Sequence, residues 1–276
     1  MQNASNDEIL KLQQEALTLL NQNPKEAKAL IAQAVEQAQT SAKDDLVLAK
    51  VLMTQARLQC ILGDMSESLT TIEVALNLFR KHHYKSGIAA ALNSYGNIYS
   101  YLGEFSTALS CYYESLAIRR ELNDERNMLA CMNNIGVTLE KQKMLSEARD
   151  IHQKCLEIAV KMKEDRLLIN VYQNIGVVYA KLMQYEQAST CFESALTIAL
   201  RLGDEHSEAG VLNNLGNVFM SLGRYERATT YFKKSIEINT RLENKFGLVE
   251  TFVSIGICAA RMLTEAQKSS FESSSP

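Results

Sequence analysis

The chain has 276 residues, 46% of them apolar, and its 29 lysines and arginines stand against 32 acids for a net charge of −3. That near balance argues against a general nucleic-acid or membrane-surface binder, which would carry a basic excess. Proline occurs only at Pro24 and Pro276, so nothing between them has to break a helix.

Residues 1–8 are polar and read as disordered; with neither a basic region nor an apolar block they do not make a secretory signal. Over residues 9–20, Ile9, Leu10, Leu12, Ala16, Leu17, Leu19 and Leu20 fall at helical spacing. Asn21-Gln22-Asn23-Pro24 is a turn, with Asn23 as N-cap and Pro24 at the first helical position. An alanine-rich second helix completes a degenerate first repeat over residues 9–40.

A strict register then governs the chain. Ala56, Gly96, Gly136, Gly176, Gly216 and Gly256 recur every 40 residues, which marks an internal repeat. Each copy reads as a helix, a tight turn and a second helix: residues 46–81, 86–122, 125–162, 165–202 and 204–242. The turns are Leu62-Gly63-Asp64, Leu102-Gly103-Glu104, Gln142-Lys143-Met144, Leu182-Met183-Gln184 and Leu222-Gly223-Arg224. Two of these lack glycine, and the helices before them are expected to end less sharply. A last helix spans residues 245–263, and the serine-rich tail, 264–276, reads as disordered. The expectation is an all-α array of about six antiparallel helix pairs plus a last helix. The open end exposes Phe252, Ile255 or Ile257, which favours self-association into a homo-oligomer through the C-terminal end.

The glycine register has a packing logic. In the third repeat Leu92, Tyr95, Gly96 and Tyr99 share one helical face, and Ala108, Tyr112, Leu116 and Arg119 share the next. Glycine inside a helix costs about 0.5–1 kcal/mol relative to alanine, which is offset if it lets the second helix approach closely. Ala108, Ala148, Ala188 and Ala228 are the expected small partners of Gly96, Gly136, Gly176 and Gly216.

These residues resemble the tetratricopeptide repeat. The sixth copy supplies Leu212, Leu215, Gly216, Phe219, Gly223, Tyr225, Ala228 and Phe232; the third supplies Leu92, Gly96, Tyr99, Gly103, Phe105, Ala108 and Tyr112. The common repeat is shorter and ends with a proline that is missing here. The 40-residue form resembles kinesin light chains, Leu-Gly-Asn-repeat adaptors and bacterial Rap-type and MalT-like regulators. The resemblance implies a right-handed superhelical solenoid whose first helices line the concave side.

On those first helices the positions three before and one after the glycine share a face. They carry Asn93 and Asn97, Asn133 and Val137, Gln173 and Val177, and Asn213 and Asn217. A carboxamide both donates and accepts, so a ladder of them can satisfy a ligand's backbone. In the relatives, asparagines of this kind hold the ligand backbone, which by resemblance marks Asn93, Asn97, Asn133, Gln173, Asn213 and Asn217 as peptide-binding residues. Lys141 and Lys181 would attract an acidic ligand. A second amide column, Asn134, Asn174 and Asn214, either ties neighbouring repeats together or joins the same face. The carboxylate-clamp lysine of some relatives is replaced here by asparagine or glutamine, so that function is not carried over.

Catalytic motifs are missing. There is no phosphate loop and no His-Glu-x-x-His, and His82-His83 lacks a spaced metal-ligand partner, so neither enzyme activity, cofactor nor metal is expected. The six cysteines form no Cys-x-x-Cys and read as small apolar residues of a reducing cytoplasm. No uncharged apolar run approaches the roughly 20 residues needed to span a bilayer. The reading is a cytoplasmic protein- or peptide-binding scaffold for signalling or complex assembly, with no nucleic-acid or membrane partner. The alternative is a sensory module that controls an output domain on another chain, through self-association.

Overall fold

The computed structural model describes residues 5–20, 22–41 and 44–273. Among them it forms 13 helices and no strand: α1 (Asn6–Leu19), α2 (Pro24–Ser41), α3 (Asp45–Leu62), α4 (Met65–Lys81), α5 (Lys85–Tyr101), α6 (Phe105–Glu121), α7 (Glu125–Lys141), α8 (Leu145–Met162), α9 (Asp165–Lys181), α10 (Tyr185–Leu202), α11 (Glu205–Ser221), α12 (Tyr225–Arg241) and α13 (Lys245–Ser273). Odd-numbered helices are the first of each pair, even-numbered the second. This is the all-α helical-repeat fold. The chain forms two compact units, Met1–Thr138 and Leu139–Pro276.

Turn chemistry sets the period. Gly63, Gly103, Gly203 and Gly223 have positive φ, and so do His83, Asn123, Lys143, Lys163, Met183 and Glu243. One left-handed residue every 20 positions therefore ends every helix from α3 to α12. The helices before Lys143 and Met183 end as sharply as the others: α7 and α9 are each 17 residues long, like α5. Packing of the following helix imposes the left-handed turn whether or not a glycine is there. A non-glycine residue pays about 1–2 kcal/mol for that conformation. Met183 is largely exposed, so Met183→Gly loses no packing. After the entropy that glycine adds to the unfolded chain is subtracted, the variant should gain about 0.5–1 kcal/mol in stability. Urea denaturation measures this, and a loss of stability would contradict the strain.

In unit 1, α3, α4 and α5 bury Leu52, Ile72, Leu76, Phe79 and Ile98 in one core. In unit 2, Phe192, Leu215, Phe219 and Phe232 fill a larger one. The repeated glycine meets a ring. A Cβ at Gly96 would collide with Tyr112, at Gly176 with Phe192 and at Gly216 with Phe232. The aromatic four residues after the repeat alanine thus fills the space that the glycine leaves. Buried serines close the backbone: Ser115 Oγ donates to Ala89 O at 2.7 Å and Ser235 Oγ to Ala209 O at 2.8 Å. Arg119 is buried too, and its guanidinium holds Asp124 at 2.7 Å. At the rim, Lys81–Asp45, Lys85–Glu121, Arg201–Asp165 and Arg241–Glu205 repeat one exposed ion pair between the ends of paired helices. Such pairs contribute at most about 1 kcal/mol each.

Two expectations change at the ends. Ser5 caps α1, donating its backbone N–H to Glu8 at 2.8 Å and accepting from Glu8 N–H at 3.3 Å, so residues 5–8 are not disordered. Likewise α13 runs to Ser273, because residues 264–273 include good helix formers and no proline. Residues 1–4 and 274–276 of the expected disordered ends lie outside the described residues. Within α13, Lys245–Glu265 is long and apolar enough to cross a membrane, with mean hydropathy 1.6. Glu250 and Arg261 interrupt it, which is why a search for uncharged runs passes it over.

Candidate functional site

The expected amides divide between the two units. In unit 1, Asn93 and Asn97 lie on α5, and Asn133 and Asn134 on α7. Asn134 Nδ2 donates to Asn93 Oδ1 and to Asn97 Oδ1, each at 3.1 Å. Tyr112 OH also donates to Asn97 Oδ1, at 2.8 Å. Asn134 is therefore a tie between successive first helices, reaching residues 41 and 37 positions back. The carbonyl oxygens of Asn93 and Asn97 are already accepting bonds inside the protein. Asn133 is half-buried.

Beside Asn97, a cavity of about 430 Å³ opens between α3 and α5, lined by Met53, Arg57, Cys60, Ser94 and Asn97. Arg57 follows Ala56 as Asn97 follows Gly96, so it holds the same repeat position. An amide pattern does not reveal it, because the other copies carry Asn97, Val137, Val177 and Asn217 at this position; the 40-residue register does. Arg57 is exposed.

In unit 2 the corresponding tie is not made. Positions 41 and 37 before Asn214 are Gln173 and Val177, and valine cannot accept a hydrogen bond. Among the described residues Asn214 and Asn217 make no hydrogen bond, and both line a cavity of about 250 Å³ between α9, α10 and α11. Val177, Ala180, Tyr185 and Phe192 supply its apolar wall, with Lys181 and Ser221 at the edge. This cleft combines apolar surface with carboxamides whose donors and acceptors are unspent.

The other expected residues of unit 2 fall elsewhere. Asn213 is only 4% exposed and its Oδ1 has no partner, so it cannot face a ligand in this arrangement. The reason is its place on α11, which is flanked by α9 and α13, so that the position three before the glycine turns into a helix seam. Gln173 is half-buried at the equivalent place on α9. Lys181 Nζ lies 2.5 Å from Glu140 Oε1, so its charge is balanced internally and its attraction for an acidic ligand is reduced. Lys141 is exposed.

A family model for the tetratricopeptide repeat matches residues 87–160 and 167–241, more than half of the chain. The chain belongs to the tetratricopeptide repeat family. No curated protein sequence matches it. Among solved structures, BtubC from P. vanneervenii is similar at 20% identity and TM-score 0.62, over 86% of this chain and 91% of that one. The Rap conjugation gene regulator of the plasmid pLS20, solved with the Phr* peptide, is 14% identical with TM-score 0.65, over 89% of this chain and 78% of that one. A signal transduction ATPase with numerous domains from Pyrococcus horikoshii, with a tetratricopeptide repeat sensor, is 14% identical with TM-score 0.74, over 97% of this chain and 44% of that one. At these identities the likeness is one of fold.

Burial disfavours the thiolate at Cys111, Cys131, Cys155 and Cys191 of this tetratricopeptide repeat chain. Burial pushes Cys155 up to about 12 and Cys191 up to about 11, so both stay protonated. The six cysteines are free. His82 Nε2 sits 2.8 Å from Asp45 Oδ2, beside the Lys81 ammonium, as part of a rim ion pair.

Proposed function

We propose that this chain is a protein- or peptide-binding scaffold that seats a peptide on the first helices, with the α9–α11 cleft of unit 2 as the anchoring point. The observation that carries the reading is the pair of unbonded carboxamides, Asn214 and Asn217, over an apolar wall. They would bond the ligand backbone, and Val177 and Ala180 would take an apolar side chain. The Rap regulator solved with a peptide supports it by analogy of fold. In unit 1, Arg57 is the charge available to an acidic residue, and Asn93 and Asn97 act there chiefly as ties. The repeat-sensor ATPase and the uncovered face of α13 favour a second reading, a regulatory module that acts on another chain.

Peptide display on the purified chain, followed by calorimetry of a selected peptide, tests the reading. Asn217→Ala and Asn214→Ala should each weaken binding by about 10-fold, the worth of one or two hydrogen bonds. Neither should shift the melting temperature, since neither side chain makes an internal bond. Selected peptides whose affinity ignores both substitutions, or no peptide tighter than about 100 µM, a binding energy of roughly 5.5 kcal/mol, would remove the cleft from the account.

A further inference from the structure

Helix α13 is docked on one side only. Thr251, Ser254 and Cys258 are buried against its neighbours, Thr251 Oγ1 lies 3.1 Å from Ser235 Oγ, and Tyr225 OH donates to Glu265 Oε1 at 2.6 Å. The opposite face carries Phe246, Val249, Val253, Gly256, Ala260 and Leu263, all exposed, from 58% at Val253 to 82% at Phe246 among the bulky ones. Their spacing alternates three and four residues, the seam of a two-helix packing. Phe252 and Ile257 flank the seam and are also exposed. A Cβ on Gly256 would meet nothing within 4 Å, whereas the equivalent glycines at 96, 176 and 216 each receive a ring. The repeat leaves this notch for a helix that the preceding copies supply from their own second helix.

We infer that the occupant is α13 of a second copy, packed antiparallel across a two-fold axis between Ser254 and Ile255. In that register Phe246 of one copy lies against Leu263 of the other, Val249 against Ala260, and Val253 against Gly256. Large meets small in the inner layers, as close-packed interiors require. A parallel pair would set Gly256 on Gly256 and leave a void. Charge agrees with the antiparallel choice. Glu250 and Arg261 border the seam on the same side, and the two-fold brings each near the opposite sign on the other copy. Six bulky apolar side chains of this face, Phe246, Val249, Phe252, Val253, Ile257 and Leu263, are each 45–82% exposed and supply apolar surface for a two-copy interface, which buries roughly 800 Å² per partner when stable. The arrangement is independent of the peptide cleft, which lies on α9–α11.

Sedimentation velocity of the chain from about 1 to 200 µM reads the outcome; association at these concentrations corresponds to roughly 5–8 kcal/mol. Wild type should dimerise. Val253→Glu should weaken dimerisation by about 100-fold or more, because it buries an unpaired charge, while circular dichroism stays helical. Glu250→Arg and Arg261→Glu should each weaken it by about 10-fold, and the double variant should recover to within about threefold of wild type, the signature of a direct pair. A wild type that stays monomeric throughout overturns the inference, including one that instead co-sediments with phosphatidylcholine vesicles. A dimer indifferent to Val253→Glu, or a double charge reversal that does not recover, overturns it as well.

Discussion

Replacing Gly176 by leucine should lower the stability of the chain by about 3 kcal/mol or more, at the upper end of the cost of overpacking a core. A Cβ at Gly176 would stand 2.6 Å from Cε1 and 2.8 Å from Cζ of Phe192. Phe192 is itself fully buried, so its ring has nowhere to turn. The helix pair α9–α10 must separate, and the repeats on either side lose their seating. Chemical denaturation of Gly176→Leu, Phe192→Leu and the double variant separates this clash from the loss of a glycine. A smaller residue at 192 should relieve part of the strain, so the double variant should be less destabilised than the two single costs added. Gly210→Ala is the opposite case. Gly210 is exposed within α11, and an added Cβ would meet only Gln173 Oε1, at 3.7 Å. There the gain in helix propensity should stabilise the protein by about 0.5–1 kcal/mol. Equal effects at the two glycines would contradict the ring-filled notch.

Acid should weaken the fold through His152. This side chain is fully buried on α8, where Tyr112, Phe192 and Phe232 hold the matching positions of other copies. Neither ring nitrogen has a hydrogen-bond partner, and burial lowers its pKa to about 4 from 6.5. The unfolded chain therefore binds a proton that the folded chain refuses between those two values. Stability is full above pH 6.5 and falls as the pH drops toward 4, for a loss of about 3 kcal/mol. His152→Phe removes the titration and the two unsatisfied nitrogens together. It should flatten the pH 4–6.5 window and raise stability at neutral pH by about 1–3 kcal/mol. The Asp124 carboxylate does not confuse the reading. Burial raises its pKa, but the hydrogen bonds from Asn127 and the Arg119 guanidinium more than offset this and hold it below 3.8. Its contribution is lost only at lower pH. Urea denaturation at pH 7, 5.5 and 4.5 gives the slope, and a wild type as steep as His152→Phe would show that the imidazole is not the group responsible.

The sequence alone determined the architecture because repetition is a one-dimensional property. A small residue every 40 positions, apolar positions at helical spacing and a turn between them specify helix pairs without any knowledge of contacts. Other features needed the third dimension. Lys143 and Met183 adopt the same left-handed turn as the glycines, because the packing of the next helix outweighs about 1–2 kcal/mol of local strain. Asn134 and Asn214 occupy the same repeat position, yet one is a structural tie and the other lines a cleft. Asn134 bonds the residues 41 and 37 positions earlier, whereas Asn214 bonds neither Gln173 nor Val177, and only the packed arrangement of the helices shows this. Asn213 is buried although its register matches the half-buried Asn93. Periodicity tells which residues share a face; hydrogen-bond partners across neighbouring helices decide which of them are left to bind something else.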